Sequence, residues 1–103
     1  MNADEKFYVV RLLWINDPEG FDEYQGQARP AFARHGVTIE RWIETAGIEG
    51  DGMEKPDAIV VTWFEDEAAF RAFEEDPDFK RASEIRNKAA TLVTITGKSV
   101  FGD

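Results

Sequence analysis

The sequence predicts an α+β domain of order β-α-β-β-α-β, on two observations. The first is that a strand-like apolar run passing through an aspartate into an aromatic-spaced helix occurs twice. "WINDPEGFDEY" begins at Trp14 and "WFEDEAAFRAFEEDPDF" at Trp63. The copies superpose without a gap, so that Trp14, Asp17, Phe21 and Tyr24 correspond to Trp63, Asp66, Phe70 and Phe73. The second observation is that four stretches are rich in β-branched and aromatic residues and end at turn formers. Two βαβ halves in this order give the ferredoxin-like fold, whose four antiparallel strands carry the helices on a single face.

The strands are expected at "FYVVRLLWI" (Phe7–Ile15), "TIERWIE" (Thr38–Glu44), "AIVVTWF" (Ala58–Phe64) and "TLVTITG" (Thr91–Gly97). Between the first two, Phe21, Tyr24, Ala28, Phe32 and His35 recur at helical spacing, and Gly36 follows as a stop. Pro30 lies inside this helix and is expected to kink it or to shorten its hydrogen-bonded part. Asp17 and Asp66 stand where N-caps are needed, followed by Pro18 and Glu67 at the first helical position. The second helical region carries Ala69, Phe70 and Phe73 on one face. It is broken at Asp76-Pro77, because the residue before a proline disfavours the α conformation. A second helix then carries Phe79, Ala82, Ile85 and Ala89. "ETAGIEGDGMEKPD" reads as a long connection between strands two and three.

Strand alternation assigns the faces. Ile15 and Phe64 should lie beneath Phe21 and Phe70, which turns Trp14 and Trp63 to the open side with Tyr8, Val10, Leu12, Ile59 and Val61. Tyr8, Trp14 and Trp63 alone could expose roughly 450–750 Å² there, against about 300–600 Å² for the largest apolar patch of a typical monomer. A second copy related by a two-fold axis is the expected cover. Arg11 resists this pattern, since it falls mid-strand beneath the helices with Val9 and Leu13. Either an acid such as Glu84 reaches it, or a bulge flips the strand's parity.

Composition narrows the partners. The 103 residues suggest one domain, 1–103, burying roughly 60–70% of the surface that the unfolded chain exposes. Twelve basic against 21 acidic residues give a net charge of −9, which disfavours nucleic acid and anionic membranes as partners. The chain has no cysteine, hence no disulfide, thiolate metal site or cysteine nucleophile. "MNADEKFYVV" lacks the basic flank and long apolar region of a signal peptide. No apolar run reaches the roughly 20 residues of a membrane span. A cytoplasmic location is therefore expected. There is no phosphate loop, dinucleotide glycine signature, metal-spaced His-Glu motif or nucleophile elbow, so neither a cofactor nor a metal is expected.

Six segments, "NDPEGFDEY", "ARHG", "GMEKPDAIVVTWF", "EEDPDF", "EIRNKAAT" and "TITG", resemble in order and spacing an uncharacterised bacterial family, domain of unknown function 1330. The likeness runs from about Tyr8 to Gly97 and matches at Asp17-Pro18, Tyr24, Gly36, Pro56, Phe64, Pro77, Phe79, Arg86 and Gly97. It implies membership of the dimeric α+β barrel superfamily, in which two ferredoxin-like protomers pair their sheets into a barrel. Three positions depart from the family pattern. Val37 stands where a second glycine is usual, Trp63 where a carboxylate is frequent, and Trp14 where a polar residue is common. If those positions line the family's cavity, this chain has made its own more apolar and aromatic. No activity comes with the family.

The candidate site residues each carry two readings. His35, the only histidine, is a general base near neutral pH or a cation at a helix C-terminus. Arg86, where the resemblance expects arginine, clamps a carboxylate or pairs with the acidic stretch at residues 74–78. Arg11 needs a reason on placement alone. Trp14, Trp63, Trp42 and Tyr8 form aromatic walls for a flat ligand or pack a core and a dimer interface. Tyr24 is a hydrogen-bonding group or a core residue.

Three functions follow. The first is a homodimer that binds a small aromatic or acidic organic molecule, either as a binding protein or as a cofactor-independent enzyme with Arg11 or Arg86 on an anionic group and His35 or Tyr24 moving a proton. The second is a non-enzymatic accessory or sensor module whose dimerisation is the point. The third is a haem-handling or quinol-oxidising enzyme, on analogy with superfamily relatives.

Overall fold

The computed structural model describes residues 6–100. The order is β1 (Phe7–Ile15), α1 (Pro18–Arg34), β2 (Thr38–Glu44), β3 (Ala58–Phe64), α2 (Glu67–Glu74), α3 (Pro77–Ala89) and β4 (Ala90–Lys98). The strands form one antiparallel sheet in the order β2-β3-β1-β4, the ferredoxin-like arrangement. The first three strands have the bounds expected from sequence, and β4 is one residue longer at each end.

The three helices start where aspartates satisfy their free amides. Asp17 accepts from the Gly20 amide at 3.2 Å and Asp66 from the Ala69 amide at 2.8 Å. Asp76 accepts from the Asp78 amide at 2.8 Å, with Pro77 at the first helical position. Helix α1 stops at His35, and Gly36 follows at φ 61, a left-handed backbone that glycine adopts without a Cβ penalty. Asp66→Ala is expected to lower stability by about 1 kcal/mol, with Asp66→Asn retaining most of it, in urea or thermal unfolding. Pro30 does not shorten α1, which continues to Arg34. The carbonyl that Pro30 leaves unbonded belongs to Gly26, an exposed residue without a side chain to shield it from water.

The helix-facing side of the sheet carries Phe7, Val9 and Leu13 from β1 and Ala58, Val60 and Phe64 from β3, all buried. Phe70, Phe73 and Phe79 close the core above them. Phe73 is its hub, with ring centroids 4.1 Å from Phe79, 5.3 Å from Phe32 and 5.6 Å from Phe64. The other side carries Tyr8, Val10, Leu12 and Trp14 with Ile59, Val61 and Trp63, each only half-buried. Val93 and Ile95 of β4 extend it and are exposed. The faces are thus as alternation assigns them.

Candidate functional site

Helix α1 packs closely against α3 and buries Phe21, Tyr24, Ala28 and Ala31 in the core it shares with the sheet. Small residues, Ala28 and Ala31 on α1 and Ala82 on α3, are fully buried along this layer. Between α1 and the β1–β3–β2 part of the sheet remains a cavity of about 250 Å³. Its floor is Leu13, Val60 and Thr62, its roof Phe21, Tyr24, Ala28 and Phe32, and its mouth is edged by Gln25, Arg29, Ile39 and Trp42. Arg11 and Arg86 complete the wall.

A bulge in β2 shapes the mouth. The register between β2 and β3 shifts between Ile39 and Arg41, so that Ile39 pairs with Thr62, Arg41 with Val61 and Trp42 with Val60. Residues three apart on a regular strand face opposite ways. The extra residue, Glu40, lets both Ile39 and Trp42 turn to the helix side. There they remain 45% and 46% exposed, and the Trp42 ring stands 6.0 Å from that of Phe21.

The arginines are the unusual part. Pairing of β1 is regular through Arg11 on both sides, so its guanidinium does lie beneath the helices. No carboxylate among the described residues bonds it, which corrects the expectation of Glu84 as partner. Glu84 is exposed and lines a separate groove with Asp17 and Lys88. Arg11 instead stands over the Phe79 ring at 5.8 Å, and its buried Nε–H has no acceptor among the described residues. Arg86 lies 5.5 Å from the Tyr24 ring and 5.7 Å from that of Phe79. Its Nη2 donates to Asn87 Oδ1 at 3.4 Å, while its buried Nε and Nη1 have no acceptor among the described residues. The expected pairing of Arg86 with the acidic stretch at residues 74–78 is also corrected. Those acids bond Arg34, Arg71, Lys80 and Arg81.

Burial pushes the Arg11 guanidinium below its ordinary pKa. Arg86 acts in the same direction, against Tyr24 and Glu74. Glu74 is already bonded to Arg71 at 2.9 Å. A guanidinium is cationic throughout the physiological pH range. The other polar wall group of the sheet, Thr62, is satisfied by donating to the Val9 carbonyl at 2.9 Å. The chamber thus combines aromatic walls with two like charges, and no carboxylate among the described residues lines it.

Of the expected site residues, the fold brings together Arg11, Arg86, Tyr24 and Trp42. Trp14, Trp63 and Tyr8 stand on the opposite face of the sheet, where Tyr8 donates to Glu40 Oε1 at 3.4 Å. His35 lies at the end of α1, apart from the cavity. Its Nε2 is 2.9 Å from Oδ2 of Asp76, a carboxylate that also bonds Arg34 and is buried beneath them. Sequence reasoning passed over Ile39, Gln25 and Arg29 because an unseen bulge and an exposed helix flank place them. Nor did any local pattern single out Asp76 as more than a helix breaker. No group of three or more metal-ligating side chains occurs among the described residues.

Burial alone would push the Asp76 carboxyl up. Hydrogen bonds from Arg34 and His35 and from the amides of Asp78 and Phe79 outweigh it and hold the group well below the usual carboxylate range. A carboxyl whose folded pKa is depressed contributes in full above its unfolded value of about 3.9 and loses that contribution as pH falls below it. Acid unfolding of the wild type should therefore steepen below about pH 4. Asp76→Asn, which keeps the cap but not the charge, should be less stable at neutral pH and show a flatter acid limb.

The family model described as Domain of unknown function (DUF1330) matches residues 6–98. The chain belongs to that family. Its fold is similar to that of a protein of unknown function from Rhodopseudomonas palustris, with a TM-score of 0.82 and 19% identity, covering 97% of this chain and 88% of the other. SnoaB, a cofactor-independent oxygenase from Streptomyces nogalater, gives 0.59 and 18% over 98% and 100%. A dimeric ferredoxin-like protein of unknown function from Thermobifida fusca gives 0.62 and 18% over 92% of each chain. At these identities the likeness carries the fold of this DUF1330 member and no activity. No curated protein matches it. No helix among the described residues is long and apolar enough to cross a membrane.

Proposed function

We propose that the chain works as a homodimer and binds a small organic anion in the cavity between its sheet and α1. One observation carries the ligand reading: two half-buried arginines, Arg11 and Arg86, line an aromatic chamber with buried guanidinium nitrogens that no carboxylate among the described residues answers. A buried charge left uncompensated costs several kcal/mol, so an occupant that answers it gains correspondingly. At about 30 Å³ per water the cavity holds the volume of about eight waters, which suits a single substituted ring. Trp42, Phe21 and Phe32 supply the walls of that ring, and Arg29 adds a cation at the mouth. Among the described residues that line it, Tyr24 is the only ionisable one besides the arginines. In a cofactor-independent reaction on an activated substrate, its phenol would be the group that moves a proton.

The homodimer reading rests on the half-buried apolar face of the sheet and on solved relatives described as dimeric. Tryptophan fluorescence during titration with benzoates, naphthoates and their neutral amides tests the ligand reading. Saturable quenching is expected in the wild type and should be lost in Trp42→Phe, which keeps the two tryptophans of the opposite face. If no compound of the panel binds below millimolar concentration, the reading fails. Turnover of any bound compound that survives Tyr24→Phe unchanged would remove Tyr24 from the chemistry.

A further inference from the structure

Two guanidinium groups are one more than a simple carboxylate requires. Arg11 comes from the middle of β1 and Arg86 from the last turn of α3, yet both stand within 6 Å of the same Phe79 ring, at 5.8 and 5.7 Å. They repel each other, and burial deprives Arg11 of the water that would screen the repulsion. A monoanion would compensate one charge and leave the other buried without an answer. The donors that lack an acceptor are also divided between them, with Nε on Arg11 and Nε and Nη1 on Arg86.

Resting on the organic-anion reading above, we propose that the occupant is a dianion on a single planar ring, a ring dicarboxylate or a ring acid with a second ionised oxygen. Each anionic group is taken by one arginine. The ring between them lies against Phe21 and Trp42, whose centroids are 6.0 Å apart. Charge then balances inside the chamber, two against two. The surrounding protein gives this local balance its selectivity. With a net charge of −9 the chain repels anions over most of its surface, and the cavity with Arg29 at its mouth is the exception.

The test compares benzamide, benzoate and isophthalate, which share a ring and carry zero, one and two charges, by calorimetry on the full chain. Each charge-assisted contact is expected to tighten binding about ten- to hundredfold, so the affinity should rise stepwise with charge. Arg86→Met and Arg11→Met should each bring isophthalate down to the level of benzoate in the wild type, with circular dichroism confirming the fold. Arg86→Lys, which keeps the charge but not the fork, should fall between. If benzoate binds as tightly as isophthalate, or benzamide as tightly as either, the dianion proposal is overturned while the cavity remains a ligand site. If none of the three binds, the organic-anion reading falls with it.

Discussion

Replacing Arg11 by methionine is expected to make the protein more stable and to weaken its hold on an organic anion. The guanidinium sits under the helices with Val9 and Leu13 on either side along the strand, both buried. It meets no carboxylate among the described residues, and its compensation comes from the face of the Phe79 ring and the longer-range pull of Tyr24 and Glu74. Exchanging buried charged groups for apolar side chains of similar volume is often worth about 1–4 kcal/mol in stability. Methionine fills the place of the arginine stem and adapts to an irregular gap. In a domain of this size each kcal/mol moves the melting temperature by about 4–8 °C, so thermal unfolding would show the gain directly. Arg86 gains too, because it loses a like charge. A melting temperature that instead falls would mean Arg11 has a counter-charge that this arrangement does not reveal. The wild-type sequence would then owe stability, not binding, to this side chain.

The second large effect concerns the bare side of the sheet. Val10 is paired with Val61 on one flank and Ile95 on the other, so it stands at the middle of an apolar surface. Val10→Glu changes little in an isolated protomer, where the side chain is half-exposed to water. In the proposed dimer it places two carboxylates in a desolvated interface, each costing about 3–5 kcal/mol. The dissociation constant should rise more than about a hundredfold. Sedimentation of the variant is expected to show a folded single subunit where the wild type shows a pair. Equal masses for the two proteins, whether single or paired, would count against that surface as the contact.

Much of this architecture was readable before any coordinates, and for identifiable reasons. The aspartate caps at Asp17 and Asp66 and the Asp76-Pro77 break act within a few residues, so sequence alone fixes where helices begin. The two faces of β1 and β3 follow from a period of two, and Arg11 kept its awkward place beneath the helices. What could not be read depends on neighbours distant in the chain. Arg34 meets Asp76 across 42 residues, and nothing local forecasts it. The bulge at Glu40 has no sequence signature here, so Trp42 reached the cavity without a stated reason. Trp14 and Trp63 stand on the open surface of the sheet, the side to which strand parity assigns them. The missing carboxylate near Arg11 was the least legible feature. With 21 acids in the chain, a partner is the natural expectation, and only the packing shows that none among the described residues bonds it.

The extra residue in β2 also determines how this scaffold could change over time. Deleting Glu40 would restore a regular pleat and swing one of Ile39 and Trp42 outward, altering which molecules fit without touching Arg11, Arg86 or the buried aromatic cluster. Because the strand lies at the rim of the sheet, such an indel disturbs one set of pairings only. Evolution, or a designer, could reshape the mouth of the proposed site there while its arginines and the folding core stay as they are.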